Sequence, residues 1–175
     1  MNALLAYLHQ SDDRLDGRVC SWVPPRWFRA WMRWATRLAD GWLWLCLGAI
    51  LLVAGGPRLQ ALAEGSIAAA VTNVLLVFLK RRFRRPRPCE VRPHPLFADV
   101  KPPDPFSFPS GHAMNACAVC TVLAIHFPIL APLLAMLAAS IAASRVVLGM
   151  HYVSDVVAGS ALGTVVGGVT CMLLA

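Results

Sequence analysis

The sequence predicts an all-α integral-membrane helical bundle, with about five transmembrane helices and an N-terminal amphipathic interfacial helix. Three observations predict it. Hydrophobic residues make up 58% of the 175-residue chain and charged residues only 14%, where soluble domains carry roughly a quarter charged. The apolar residues gather into blocks that approach the ~20 residues a helix needs to cross a bilayer core. The 16 basic and 9 acidic residues stay largely outside the block centres. A soluble bundle with a greasy interior is disfavoured, because too few polar residues remain to coat it.

Residues 1–40 form the first segment. Arg26, Arg29, Arg33 and Arg37 recur along one helical stripe, while Trp27, Phe28, Trp31, Trp34 and Leu38 take other faces. Arginines toward headgroups and rings toward acyl chains describe a helix lying in the interface. Residues 41–175 form the membrane-embedded domain. Its first span runs from about Trp42 to Ala54, of marginal length, and stops at Gly55-Gly56-Pro57. The second covers about Ala61 to Leu79, with Glu64 near its start expected at the interface or against other helices. Lys80 to Pro109 is a long loop rich in Pro and Arg, and loops of that length are usually functional or disordered. Spans at about His112–Phe127, Leu133–Leu148 and Val153–Leu174 follow. Gly159, Gly163 and Gly167 repeat every fourth residue, a spacing that lets helices pack closely in lipid.

Composition narrows the function classes. The net charge of +7 sits beside apolar spans and tryptophans, which points to anionic headgroups or phosphates. No nucleic-acid module is present, so no nucleic-acid partner is expected. Cys117 and Cys120 have CxxC spacing but no second ligand pair, and the six cysteines make no disulfide framework. The short apolar run Ala3–Leu8, followed by Asp12 and Asp13, does not read as a cleavable signal. His9 and His126 read as structural histidines.

Alternating spans bring three polar groups to one membrane face: Lys80 with Arg87-Pro88, Pro109-Ser110-Gly111-His112, and Ser144-Arg145 with His151 and Asp155. Ser110 is a candidate helix N-cap, and Gly111 permits close approach of a ligand to the backbone. A helix N-terminus with Lys80, Arg87 and Arg145 around it favours an anion, the arginines being capable of bidentate phosphate contacts. Arg145 follows an apolar helix with no other charge near it, which marks it as functional. Arg81, Arg82, Arg84 and Arg85 read as flanking charge. Asp155 lies four residues after His151, so it can fix the imidazole tautomer and leave the other nitrogen free to attack. His112 could then act as general acid.

The order Lys80-x6-Arg87-Pro88, Pro109-Ser110-Gly111-His112, Ser144-Arg145-x5-His151-x3-Asp155 resembles the three-part signature of the type 2 phosphatidic acid phosphatase (PAP2) superfamily, over about residues 42–175. The resemblance implies a metal-independent phosphomonoesterase or pyrophosphatase with no cofactor. In it His151 forms a phosphohistidine, Asp155 orients it, and His112 protonates the leaving group and then activates water. Lys80, Arg87, Ser110, Gly111 and Arg145 hold the phosphoryl oxygens. Val153 departs from the proline common at that position, and the amphipathic segment takes the place of a sixth span.

The expected substrate is a membrane lipid phosphate or diphosphate, undecaprenyl diphosphate first. Phosphatidate or phosphatidylglycerophosphate phosphatase and lipid phosphotransferase are the alternatives, and soluble haloperoxidase chemistry is disfavoured by the composition. The lipid bilayer is the other partner, and the sequence leaves oligomeric state open. The resemblance implies the bacterial inner membrane with the site on the periplasmic face. All basic residues except Arg58 and Arg145 precede the first span or lie in the Lys80–Lys101 loop, which by the positive-inside rule argues the opposite side. Phosphate-binding cations inflate that count.

Overall fold

A computed structural model describes residues 12–15, 17–19, 22, 24–91 and 104–175. His9, Cys20, Lys101 and the Ala3–Leu8 run lie outside them. The regular elements among the described residues are helices: α1 (Arg26–Leu38), α2 (Trp42–Ala54), α3 (Arg58–Phe83), α4 (Pro88–Val91), α5 (Gly111–His126), α6 (Ala131–Val147, entered through a 3-10 turn at Pro128–Leu130) and α7 (Val153–Leu174).

Helix α3, α6 with its 3-10 turn, and α7 are each long and apolar enough to cross a membrane. Helix α5 is apolar but has only 16 residues, about 24 Å at 1.5 Å per residue. It holds the centre of the bundle, packing on α3, α6 and α7 through Met114, Ala118 and Val122, which are fully buried. Apolar side chains such as Val74, Ile129 and Met172 point outward from the bundle, the arrangement lipid solvation requires.

The first expected span differs from a free-standing helix. Helix α2 spans 13 residues, roughly 20 Å, and joins α1 at a 56° bend. The bend falls at Ala39–Gly41, where Gly41 takes φ 114°, a conformation glycine adopts without Cβ strain. Helix α1 packs on α6 through Met32, Ala35 and Thr36 while Trp27, Trp31 and Trp34 stay exposed. It therefore combines a protein-facing stripe with an outward aromatic one.

The α5–α7 seam sets the register of everything above it. A Cβ at Gly159, Gly163 or Gly167 would stand 2.6 Å from the Ser110 carbonyl oxygen, 2.1 Å from that of Met114 and 2.5 Å from that of Ala118, respectively. The two backbones thus touch at three successive turns, as the spacing of small residues predicts. At the top of the seam the Ser110 N–H donates to the Asp155 carbonyl at 3.0 Å. That bond ties the Pro-Ser-Gly-His turn to the first turn of α7.

A cavity of about 720 Å³ opens between α2, α3 and α5. Lys80, Arg87, His112, Arg145 and His151 line one end. Trp44, Leu51, Leu62, Leu76 and Leu123 line the rest.

Candidate active site

His151 lies between α6 and α7, buried, in a short turn whose N–H groups at Met150 and His151 both donate to the Arg145 carbonyl. Its Nδ1 is 2.7 Å from the Ser107 carbonyl oxygen. A carbonyl only accepts, so Nδ1 carries the proton and Nε2 the lone pair. Arg87 Nη1 then donates to Nε2 at 3.2 Å. Asp155 Oδ2 is 3.7 Å from Nδ1, beyond hydrogen-bond length. This corrects the expectation that Asp155 fixes the tautomer: the Ser107 carbonyl does so, and the carboxylate acts through space. Burial drives the His151 pKa down to about 4, aided by the Arg145 and Arg87 charges and opposed by Asp155. The imidazole is neutral at pH 7.

Asp155 itself is fully buried, accepting from the Tyr152 N–H at 2.9 Å and from Arg85 Nη1 at 2.7 Å. Arg85 is not flanking charge. It also reaches Ser154 Oγ and Asp12 Oδ2, each at 2.7 Å, and stacks over the Tyr152 ring at 4.0 Å. Arg81, Arg82 and Arg84 remain exposed as expected. The difference is made at Arg84, whose φ of 47° places it in the left-handed region, ending α3 and turning the next residue inward.

Lys80 and Arg87 share one carboxylate. Lys80 Nζ is 2.6 Å from Asp104 Oδ2 and Arg87 Nη2 is 3.4 Å from Asp104 Oδ1, while Arg87 Nε donates to the Asp104 backbone carbonyl at 2.9 Å. Arg87 Nη1 also donates to the Met150 carbonyl at 3.0 Å. Burial would raise the Asp104 pKa, but the hydrogen bond and charge of Lys80, with the charge of Arg87, hold it below the usual carboxylate value. His112, at the start of α5, donates through Nε2 to Asp40 Oδ1 at 2.9 Å. Arg145 Nη1 donates to Thr36 Oγ1.

Three buried side-chain polar atoms among the described residues have no partner: Arg85 Nε, Arg145 Nε and Ser110 Oγ. Ser110 occupies the N-cap position of α5 as expected, yet its hydroxyl makes no cap bond. A Cβ at Gly111 would meet Leu76 Cδ2 at 2.6 Å, the mobile end of a side chain that can step aside. Lys80, Arg87, Gly111, His112, Arg145 and His151 line one cavity, with Ser110 and Asp155 directly behind it. Asp12, Thr36, Asp40, Arg85, Asp104 and the Ser107 carbonyl join them without having stood out in the sequence. Asp40, placed just ahead of the first apolar block, and Asp104, set between prolines, offered a weak signal. Arg85 offered none.

A model of the PAP2 superfamily matches residues 62–174. The chain belongs to the PAP2 superfamily. Among curated PAP2 relatives, decaprenylphosphoryl-5-phosphoribose phosphatase of Mycobacterium tuberculosis is 40% identical over 131 residues, covering 74% of this chain and 69% of the relative. Phosphatidylglycerophosphatase B of Bacillus subtilis is 39% identical over 83 residues, 41% of each chain. The crystal structure of the transmembrane PAP2-type phosphatidylglycerolphosphate phosphatase of Bacillus subtilis matches with a TM-score of 0.74 at 25% identity, covering 99% of this chain and 87% of that one. Aquifex aeolicus LpxE shares the fold, with a TM-score of 0.75 at 24% identity over 91% and 93% of the two chains. This PAP2 protein is a membrane-embedded phosphatase, a phosphoric ester hydrolase.

Proposed function

We propose that this PAP2 protein removes the terminal phosphate of a polyprenyl-linked membrane lipid through a phosphohistidine at His151. The observation that carries the reading is the His151 ring itself. Its Nε2 lone pair faces a cavity whose cations are Lys80, Arg87 and Arg145, with the unpartnered Arg145 Nε and Ser110 Oγ ready to donate to phosphoryl oxygens.

Nε2 attacks phosphorus as the P–O bond to the leaving group breaks, an anhydride bond in a diphosphate and an ester bond in a sugar phosphate. Arg87 Nη1 moves from Nε2 onto the incoming phosphoryl group. With its Nε2–H held by Asp40, His112 acts in the doubly protonated form and gives its Nδ1 proton to the departing oxygen. Phosphorylated at Nε2 and protonated at Nδ1, His151 becomes cationic, and the Asp155 charge 3.7 Å away stabilises it. His112, now neutral, takes a proton from water, which attacks phosphorus and releases phosphate. Fixed donors aimed at the developing oxyanion charge usually supply the largest catalytic term.

The tail has a place to lie. From the phosphate end the cavity continues along α2, α3 and α5 between apolar side chains. The mycobacterial relatives' names describe a prenyl-linked phosphate, which supports a polyprenyl chain over a diacylglycerol. Undecaprenyl diphosphate stays the first bacterial candidate, with a prenyl-linked sugar phosphate beside it. The inner membrane and a periplasm-facing site complete the reading.

The test is phosphate release by purified protein from a panel containing undecaprenyl diphosphate, a polyprenyl-phosphoryl sugar phosphate, phosphatidate and phosphatidylglycerophosphate. Prenyl substrates should turn over fastest, and enzyme quenched in alkaline detergent, where an N-phosphoimidazole survives, should carry labelled phosphate on residue 151. Full turnover by His151→Ala, or preference for phosphatidate, would refute it.

A further inference from the structure

At the opposite end of the bundle, roughly 24 Å from Lys80 by the sixteen-residue separation along α3, three side chains from three helices converge. They are Glu64 of α3, His126 at the last residue of α5, and Cys171 near the end of α7. One ligand atom from each lies within 4.8 Å of the other two. Glu64 Oε2 is 2.8 Å from His126 Nε2, and Gln60 Nε2 donates to Glu64 Oε1 at 2.9 Å.

Glu64 is 2% exposed, and among the described residues no lysine or arginine pairs with it. A carboxylate sunk in an apolar bundle needs a positive partner, and such residues mark sites by default. The neighbouring groups are a thiol and an imidazole rather than further carboxylates. That donor set selects zinc-class ions over magnesium or calcium, which take oxygen ligands. We propose that Glu64, His126 and Cys171 bind one divalent zinc-class ion that ties α3, α5 and α7 together at this face, with a fourth position open to solvent.

The geometry is within reach of that state. Tetrahedral coordination at ~2.0–2.3 Å sets ligand atoms about 3.3–3.6 Å apart. The Glu64–His126 contact therefore opens slightly, and Cys171 Sγ draws in. Binding displaces the Cys171 thiol proton. The His126 nitrogen that bonds the metal must lack a proton, the remaining one sitting on Nδ1. His126 is partly exposed, which gives the ion an entry path. Gln60 steadies the carboxylate from outside the ligand set.

The experiment is titration of the purified, chelator-treated full chain in detergent with Co²⁺ and then Zn²⁺. Visible and near-ultraviolet absorption and the thermal midpoint are followed. One equivalent of Co²⁺ should give tetrahedral d–d bands and a thiolate charge-transfer band. Zn²⁺ should displace it and raise the midpoint by several degrees, about 4 °C or more at saturation. Cys171→Ser should lose the charge-transfer band, and His126→Asn should weaken binding at least tenfold. Cys117→Ser/Cys120→Ser should leave both unchanged. If wild-type protein shows no saturable binding, or the band follows Cys117 and Cys120, the assignment fails. The wild-type titration decides this even if a variant does not fold.

Discussion

Arg85 Nη1 lies 2.7 Å from Asp155 Oδ1, and both side chains are buried. The same guanidinium holds Asp12 at 2.7 Å, so a three-member charge chain ends beneath His151. Replacing Arg85 with Ala leaves Asp155 and Asp12 buried without their cation, a change that costs about 3–5 kcal/mol. Turnover should fall by about 10²-fold with KM little altered. Asp12→Asn should fall less. Both are read by steady-state kinetics beside a melting curve, and unchanged kcat in Arg85→Ala would deny Arg85 a positioning role.

Ser110→Ala separates ligand binding from folding. The hydroxyl is buried with no partner, a state that costs about 1–3 kcal/mol. Its removal should leave the melting temperature unchanged or raise it. Turnover should nevertheless drop about 10²-fold, the scale of losing one donor to a developing oxyanion. Parallel loss of stability and activity would contradict this.

His151 predicts a defined pH dependence. Its folded pKa of about 4 lies below the unfolded value of ~6.5. Above pH 6.5 the ring is neutral in both states and contributes no slope. Between pH 6.5 and 4 the unfolded chain binds the extra proton, so stability falls as pH falls through that window. The melting temperature of wild type should decline more steeply from pH 7 to 5 than that of His151→Asn. Equal slopes would place the ring's pKa near its ordinary value.

Gly163 tests the seam far from the chemistry. A Cβ there would sit 2.1 Å from the Met114 carbonyl oxygen, and backbone cannot step aside as a side chain can. Gly163→Ala should cost about 1–3 kcal/mol and lower turnover by moving α7 away from Ser110. Gly168→Ala, which meets nothing within 4 Å, should be neutral or slightly stabilising through helix propensity. Identical behaviour of the two would argue against backbone contact at the seam.

Local pattern made much of this legible. Apolar blocks located α2, α3, α5, α6 and α7, the glycine spacing located the α5–α7 contact, and short motifs located His112, Arg145, His151 and Asp155. The rest depends on approach in three dimensions. Arg85 stands in a run of chemically equivalent arginines, and only the left-handed turn at Arg84 separates it from its exposed neighbours. Ser107 contributes a carbonyl oxygen, which every residue possesses, so no side-chain pattern could single it out. Asp40 meets His112 only because α1 and α2 bend by 56° at that point.

The carboxylate of Asp12 touches Arg85 at one end of its reach and the Ser154 N–H, 3.1 Å away, at the other. A stretch upstream of α1 is thereby buckled to the last helix of the chain. A protease nick between this residue and α1 would release the buckle with every bundle helix intact. Inactivation by limited digestion would then precede any loss of helical signal.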